Sequence, residues 1–326
     1  MLVIQNGKPV FRQGYGVTDL HRLDPIDGAT DFRLASFTKQ FTAMCIMLLV
    51  HDGKMHYDDH LTDFFPDFPV YGKSITVRNL LNHTSGLPDY EDLLSRRYPN
   101  TPDEQIPQIH DAGVLKLLEQ QTAGKFPAGS KWEYSNSGYV TLGLIVEKVS
   151  GKPFRQFLDE RIFAPLKMNA TLAYEKGKNQ VPHRAYGHTK EKDGWRETDQ
   201  SSTSATLGDG GIYTSIDDLT KWDLALRDHT LLSEAEMQPA LTPVQPSAGP
   251  ARSSDEPLIY GFGWFLNPYK GHKRMWHDGE TMGFRTTIQR FPNDDLTVII
   301  LANRTDLNPG ELALQVADLF LEAKHH

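Results

Sequence analysis

From Ser36 to Lys54 the chain reads SFTKQFTAMCIMLLVHDGK. No helix breaker interrupts it before Gly53, and its apolar residues fall nearly all round a helical wheel. A surface helix keeps one polar face, so a helix apolar on every side is buried inside the protein. Gly53 stands where a left-handed residue closes such a helix. The apolar run Phe41 to Val50 is about half the ~20 residues that cross a bilayer, so it predicts a core helix and no membrane span. The chain's single cysteine, Cys45, sits in this run. It reads as a small buried thiol, and no internal disulfide can form.

Upstream of this helix, Leu2 to Tyr15 reads strand, turn, strand, with Asn6-Gly7 as a two-residue hairpin turn. A polar stretch, Thr18 to Thr30, follows. Downstream, Ser74 to Leu81 predicts a short helix capped by Thr76, HTSGLPDY a loop, and Pro107 to Gln121, Leu142 to Val149 and Phe154 to Ala164 three helices. TSIDDLTKW resembles a capping box with Ser215 as cap and Asp218 three residues on. Thr242 to Pro257 is rich in Pro, Ser and Gly and reads as a linker or long surface loop. The period then changes to two through YGFGWFL, RMWHDG, FRTTIQRF and LTVIILAN, as in consecutive antiparallel strands with Pro292-Asn293-Asp294 as one turn. A last amphipathic helix runs from Pro309 to about Ala323, and His325-His326 end the chain.

Strands at both ends and helices between predict an α+β fold. The end strands form one antiparallel sheet flanked by helices, with a mostly helical domain inserted. The expected division is 1–45 plus 250–326 for the sheet-containing domain and 46–249 for the helical one, with the cleft between them.

The chain has 326 residues, 39% hydrophobic and 23% charged, with a net charge of −8. That balance suits a packed globular core. No Lys/Arg cluster stands out, which argues against a nucleic-acid partner. The start MLVIQNGK shows no basic segment leading into a long apolar one, so no signal peptide is read; the compartment and the oligomeric state stay open. Thirteen histidines show no H-E-x-x-H or paired ligand spacing, so no metal is assigned. His83 reads as a loop-bracing hydrogen bonder. Gly210-Gly211 reads as close backbone packing, since no phosphate-loop context surrounds it. Trp132, Tyr139, Trp264 and Trp276 flank the motifs below and serve the core or the cleft wall.

Three short patterns carry chemistry: S-x-x-K at Ser36–Lys39, Y-x-N at Tyr134–Asn136, and H-x-G at His277–Gly279. Residues three apart share a helix face, which sets Lys39 beside Ser36 at the head of a buried helix. Burial disfavours an ammonium, so Lys39 is a candidate base. A serine hydroxyl is a weak nucleophile until a base takes its proton. On this pair alone, Ser36 as a plain cap with Lys39 solvated is an equal reading. A second HDG at His51–Gly53 is the end of the buried helix.

The ordered set ASFTK, LLNHTSGLPDY, FPAGSKWEYSNSGY, GGIYTSIDDLTKW and HDGETMGF resembles the serine β-lactamase superfamily, in the branch that holds class C β-lactamases, DD-peptidases and family VIII-type esterases. The resemblance runs from about Gly7 to the C-terminus. It implies a serine hydrolase acting through an acyl-enzyme on Ser36, without metal or other cofactor. Lys39 and Tyr134 would share the base, and Tyr134 would protonate the leaving group. Asn136 would hydrogen-bond the substrate amide or the lysine. His277 to Gly279 would lie on the strand beside the cleft, with the N–H groups of Ser36 and Glu280 as oxyanion hole.

Two departures stand out. Histidine replaces the lysine that would give position 277 a fixed charge for a carboxylate, and Asp278 and Glu280 adjoin it. The cleft is therefore expected to favour neutral esters, or amides carrying an amine, unless Arg285 turns into it. Members of the superfamily also carry a helix before the first strand, whereas this chain starts within that strand. The leading reading is an esterase or peptidase acting on a small-molecule ester, amide or peptide. A D-amino-acid peptidase or weak β-lactamase, and a catalytically silent ligand-binding relative, are the alternatives.

Overall fold

Asn6 and Gly7 both take left-handed backbone, with φ 51° and 71°. That is the geometry of a tight primed hairpin turn, and it folds strand Leu2–Gln5 back on strand Lys8–Arg12. In the computed structural model, which describes residues 1–249, 252–253, 256–257 and 259–321, this hairpin joins a five-stranded antiparallel sheet. Its order is Met275–Thr281, Phe284–Phe291, Leu296–Ala302, Leu2–Gln5, Lys8–Arg12. Both chain ends therefore build one sheet. Residues 250–251 and 254–255 of the linker reading, the last residues of the C-terminal helix reading, and His325-His326 lie outside the described residues.

Strand Leu296–Ala302 is buried along its whole length, as expected where both faces of a sheet are covered. Val298 and Ile300 face the C-terminal helix Pro309–Ala317, with Val3, Phe291, Leu296, Ala313 and Ala317. Ile299 and Leu301 point the other way, into the larger core. That core is organised by helix Lys39–His51, in which every residue from Lys39 to Leu49 is buried. Phe41 packs on Trp222 with ring centroids 4.4 Å apart and on Phe163 at 5.8 Å. Trp222 lies on helix Ile216–Arg227, whose Asp223 accepts hydrogen bonds from Arg290 at 2.6 Å and Thr297 at 2.8 Å on the sheet.

Several elements differ from the sequence reading. The first turn, Ala35–Thr38, is 3₁₀ and the α-helix starts at Lys39. A helix that the sequence reading does not contain spans Tyr90–Arg97, capped by Asp89 at the end of the HTSGLPDY loop. The helix predicted from Leu142 starts at Asn136, with Ser135 as cap; burial of its face overrides the low propensity of Asn, Ser and Gly. The helix predicted over Pro107 to Gln121 is confined to Asp111–Glu119, and the Phe154 helix turns π-helical at Asp159–Phe163. Only half of the expected box at Ser215 forms: its hydroxyl accepts the Asp218 N–H. The Asp218 carboxylate instead takes the Ala170 and Thr171 N–H groups.

YGFGWFL is not a strand of the sheet. It makes isolated bridges, Tyr260 with Phe265 and Phe265 with Trp276. Gly263 takes φ 75°, and a Cβ there would lie 2.9 Å from the Lys39 carbonyl oxygen. The segment thus hugs the start of the core helix and delivers Tyr260 and Phe265 to its side. Among the described residues, no helix is long and apolar enough to cross a membrane.

Candidate active site

Ser36 sits in the 3₁₀ turn just after Ala35, a non-glycine residue held at φ 52°. Such strain is tolerated where the surroundings over-determine it, and here the edge strand Met275–Thr281 supplies the constraint. A Cβ on Gly279 would lie 2.0 Å from the Leu34 carbonyl oxygen and 2.3 Å from Thr286 Oγ1, so only glycine lets strand and turn approach this closely. Thr286 Oγ1 donates to the same Leu34 oxygen at 2.8 Å.

Lys39, one helical turn on, is fully buried. Its Nζ donates to Ser36 Oγ at 3.0 Å, Asn136 Oδ1 at 2.8 Å and the Asp209 main-chain oxygen at 3.0 Å. An ammonium has three protons, and each has an acceptor. Nζ also lies 4.9 Å from the Tyr134 ring centroid and 5.5 Å from that of Tyr139. Helix Asn136–Ser150 thus brings Asn136 to the lysine, and the preceding loop brings Tyr134. The Tyr134 hydroxyl is buried and takes no hydrogen bond among the described residues, so Ser36 and Tyr134 meet at Lys39 without bonding each other. Hydrogen bonds of such sites commonly tighten only with substrate in place.

His277 is buried 6.1 Å from Tyr134, ring to ring. Its Nδ1 lies 2.7 Å from the Asp278 carbonyl oxygen, an acceptor, so Nδ1 carries the proton; Nε2 then accepts the Tyr260 hydroxyl at 3.2 Å. Burial, reinforced by the Lys39 charge, lowers its pKa to about 3. His277 is therefore a neutral imidazole and offers no charge to a carboxylate.

Strand alternation corrects the expectation that Asp278 adds negative charge at His277. Its carboxylate points to the opposite face, where it accepts the Thr287 hydroxyl at 2.5 Å and lies against Gly310 of the C-terminal helix. Glu280 stands exposed at the rim and pairs with Arg285 at 2.7 Å. Arg285 also donates to the Thr281 and Phe284 carbonyl oxygens. The rim opens into a cleft of about 940 Å³ whose lining includes Glu91, Tyr98, Ser202, Glu280 and Arg285.

Three contributors escaped the sequence reading. Asp209 enters through its carbonyl oxygen, which no residue type advertises. Asp89 was read only as loop, yet its carboxylate accepts the Glu91 N–H at 3.0 Å and the Asn136 N–H at 2.8 Å, pinning Asn136. Tyr260 opens the strand-like run YGFGWFL, whose pattern gives no sign of its bond to His277. Of the flanking aromatics, Trp132 and Tyr139 contact the His83 ring, Trp276 stacks on Phe265 at 4.5 Å, and Trp264 is buried in the core.

An antiparallel sheet from both chain ends, with a serine and a buried lysine at the head of the core helix, is the β-lactamase/transpeptidase-like fold of serine hydrolases. The family model described as beta-lactamase matches residues 1–321, and the chain belongs to that family. It is 32% identical to "Penicillin-binding protein 4*" of Bacillus subtilis over 96% of this chain and 70% of that protein. The octameric penicillin-binding protein homologue of Pyrococcus abyssi superposes with a TM-score of 0.84 at 26% identity, over 98% of this chain and 72% of that one. D-amino acid amidase of Ochrobactrum anthropi, solved with L-phenylalanine amide, gives 0.81 at 26% identity, over 98% and 92%.

Proposed function

We propose that the chain hydrolyses small esters or amides through an acyl-enzyme on Ser36. The carrying observation is the Lys39 ammonium bound at once to Ser36 Oγ, Asn136 Oδ1 and the Asp209 carbonyl beneath the Tyr134 ring. For catalysis Lys39 first gives up one proton; its free amine then takes the Ser36 proton, directly or relayed through the Tyr134 hydroxyl, as Oγ attacks the substrate carbonyl carbon. The N–H groups of Ser36 and Glu280 hold the resulting oxyanion. Tyr134 returns the proton to the leaving alcohol or amine, and water then releases the acid and regenerates Ser36. Asn136 orients Lys39 and the substrate.

The substrate is neutral or amine-bearing at the reacting end. Among the described residues, a neutral His277 and an Arg285 already engaged by Glu280 leave no free cation at this rim for a carboxylate. Similarity to D-amino acid amidase supports the amine-bearing amide as the second reading. The test is labelling with a fluorophosphonate probe, then turnover of a short-chain nitrophenyl ester against a chromogenic cephalosporin. Tagging at Ser36 with faster ester turnover is expected. An untagged protein would indicate a silent ligand-binding relative, and faster cephalosporin turnover would defeat the charge argument.

A further inference from the structure

His83 lies in LLNHTSG, away from the three motifs, yet its contacts surround one of them. Its main-chain oxygen accepts the Glu133 N–H at 2.9 Å. Its Nδ1 accepts the Ser135 N–H at 3.2 Å. Between those two anchors stands Tyr134, and the His83 ring packs on the Tyr134 ring with centroids 4.3 Å apart. The His83 ring also contacts Tyr139 at 5.2 Å and Tyr260 at 4.6 Å, and Tyr260 is the donor to His277. His83 thus touches the residue before Tyr134, the residue after it and its ring.

Two further observations argue that this arrangement is specified. His83 is held at φ 62°, an uncommon conformation for a non-glycine residue. It is buried to 1% exposure, where burial and the charge of Lys39 push its pKa down. A neutral ring with Nδ1 as acceptor carries its proton on Nε2, the only tautomer that can receive the Ser135 N–H. A hydrogen bond that served only to close the loop would not need an aromatic ring against the phenol.

We propose that His83 is a positioning residue for Tyr134: it fixes the main chain on both sides of the phenol and backs its ring, so that the hydroxyl stays at the Ser36–Lys39 pair. This rests on the reading of Tyr134 given above, and the test separates the two. A displacement of about 1 Å at a reacting group costs on the order of 10²-fold in rate, which sets the expected scale.

The experiment measures the rate of fluorophosphonate labelling, and kcat and KM for a nitrophenyl ester, in wild type, His83→Gly, His83→Asn, Tyr134→Phe and the His83→Gly/Tyr134→Phe double variant, each checked for a cooperative thermal transition. Glycine tolerates φ 62° without strain but removes both acceptor and ring. Asparagine tolerates the same backbone and offers an oxygen near the place of Nδ1. Expected results are a fall of about 30- to 100-fold in kcat and labelling rate for His83→Gly with KM within twofold, and a loss of no more than about fivefold for His83→Asn. The double variant should be no slower than Tyr134→Phe alone, because a residue acting through the phenol has nothing left to position. Multiplying losses in the double variant overturn the proposal, as does a His83→Gly enzyme as fast as wild type. If His83→Gly does not fold, a folded His83→Asn as slow as Tyr134→Phe overturns it. Wild type that takes no label sinks the hydrolase reading itself, a distinct result.

Discussion

The Tyr260 hydroxyl donates to Nε2 of His277 across 3.2 Å, so the histidine of the H-x-G motif spends its lone pair inside the protein. With Nδ1 turned to its own neighbour's carbonyl oxygen, both ring nitrogens are committed. A depressed pKa near 3 means that His277 gains no proton across the working range. The prediction is that NMR of the His277 ring shows no titration between pH 5 and pH 8. A midpoint near the ordinary value of about 6.5 would contradict the neutral-anchor argument.

Gly279→Ala tests the seam between strand and turn. An added methyl would meet the Leu34 carbonyl oxygen at 2.0 Å, a distance that real Cβ contacts do not reach. The strand must lift away from the Ser36 turn and carry Glu280 with it. Ester turnover is expected to fall by at least about 10²-fold. A variant within a factor of three of wild type would show that the seam has no bearing on the chemistry.

Lys39→Met keeps length and apolar volume while removing three hydrogen bonds. Fluorophosphonate labelling of Ser36 should slow by about 10²- to 10⁴-fold, the range of general acid–base assistance. The protein should still unfold cooperatively, because a buried ammonium is exchanged for a residue that suits the core. Unchanged labelling would remove Lys39 from the proton relay.

Asp31 offers a stability prediction independent of catalysis. It is fully buried, and among the described residues neither carboxylate oxygen has a hydrogen-bond partner. Burial raises its pKa to about 8, so the folded chain holds a proton that the unfolded chain releases near 3.8. The stability this confers is complete below the unfolded value and declines as pH rises toward 8. Asp31→Asn should therefore gain on wild type by about 2–5 kcal/mol between pH 4 and pH 8, read from urea unfolding. A constant difference across that window would refute the assignment.

Much of this architecture was legible because it rests on local rules. Asn6-Gly7 dictated a hairpin, the unbroken apolar run after Ser36 dictated a buried helix, and the two-residue period dictated strands Met275–Thr281, Phe284–Phe291 and Leu296–Ala302. The ordered motifs led to Ser36, Lys39, Tyr134 and Asn136 as one set. What stayed hidden depends on contacts distant in sequence. The alternating aromatics Tyr260, Phe262 and Trp264 mimic a strand, but all three are buried, and Tyr260 makes an isolated bridge to Phe265 in place of a sheet ladder. Asp278 looked like a neighbour of the cleft until strand pairing sent it to the other face. Asp89 and His83 act on backbone N–H groups 47 and 52 residues away, which no local pattern encodes.

The third partner of Lys39 is a peptide oxygen, that of Asp209. The side chain of the same residue is also engaged: it is buried and accepts the Tyr90 hydroxyl at 2.8 Å, so a substitution there would leave that hydroxyl without its acceptor. Length counts as well: shortening the Thr206–Gly211 segment by one residue would withdraw the peptide oxygen altogether. A fixed segment length, with an acceptor for the Tyr90 hydroxyl kept at position 209, is the evolutionary signature to look for there.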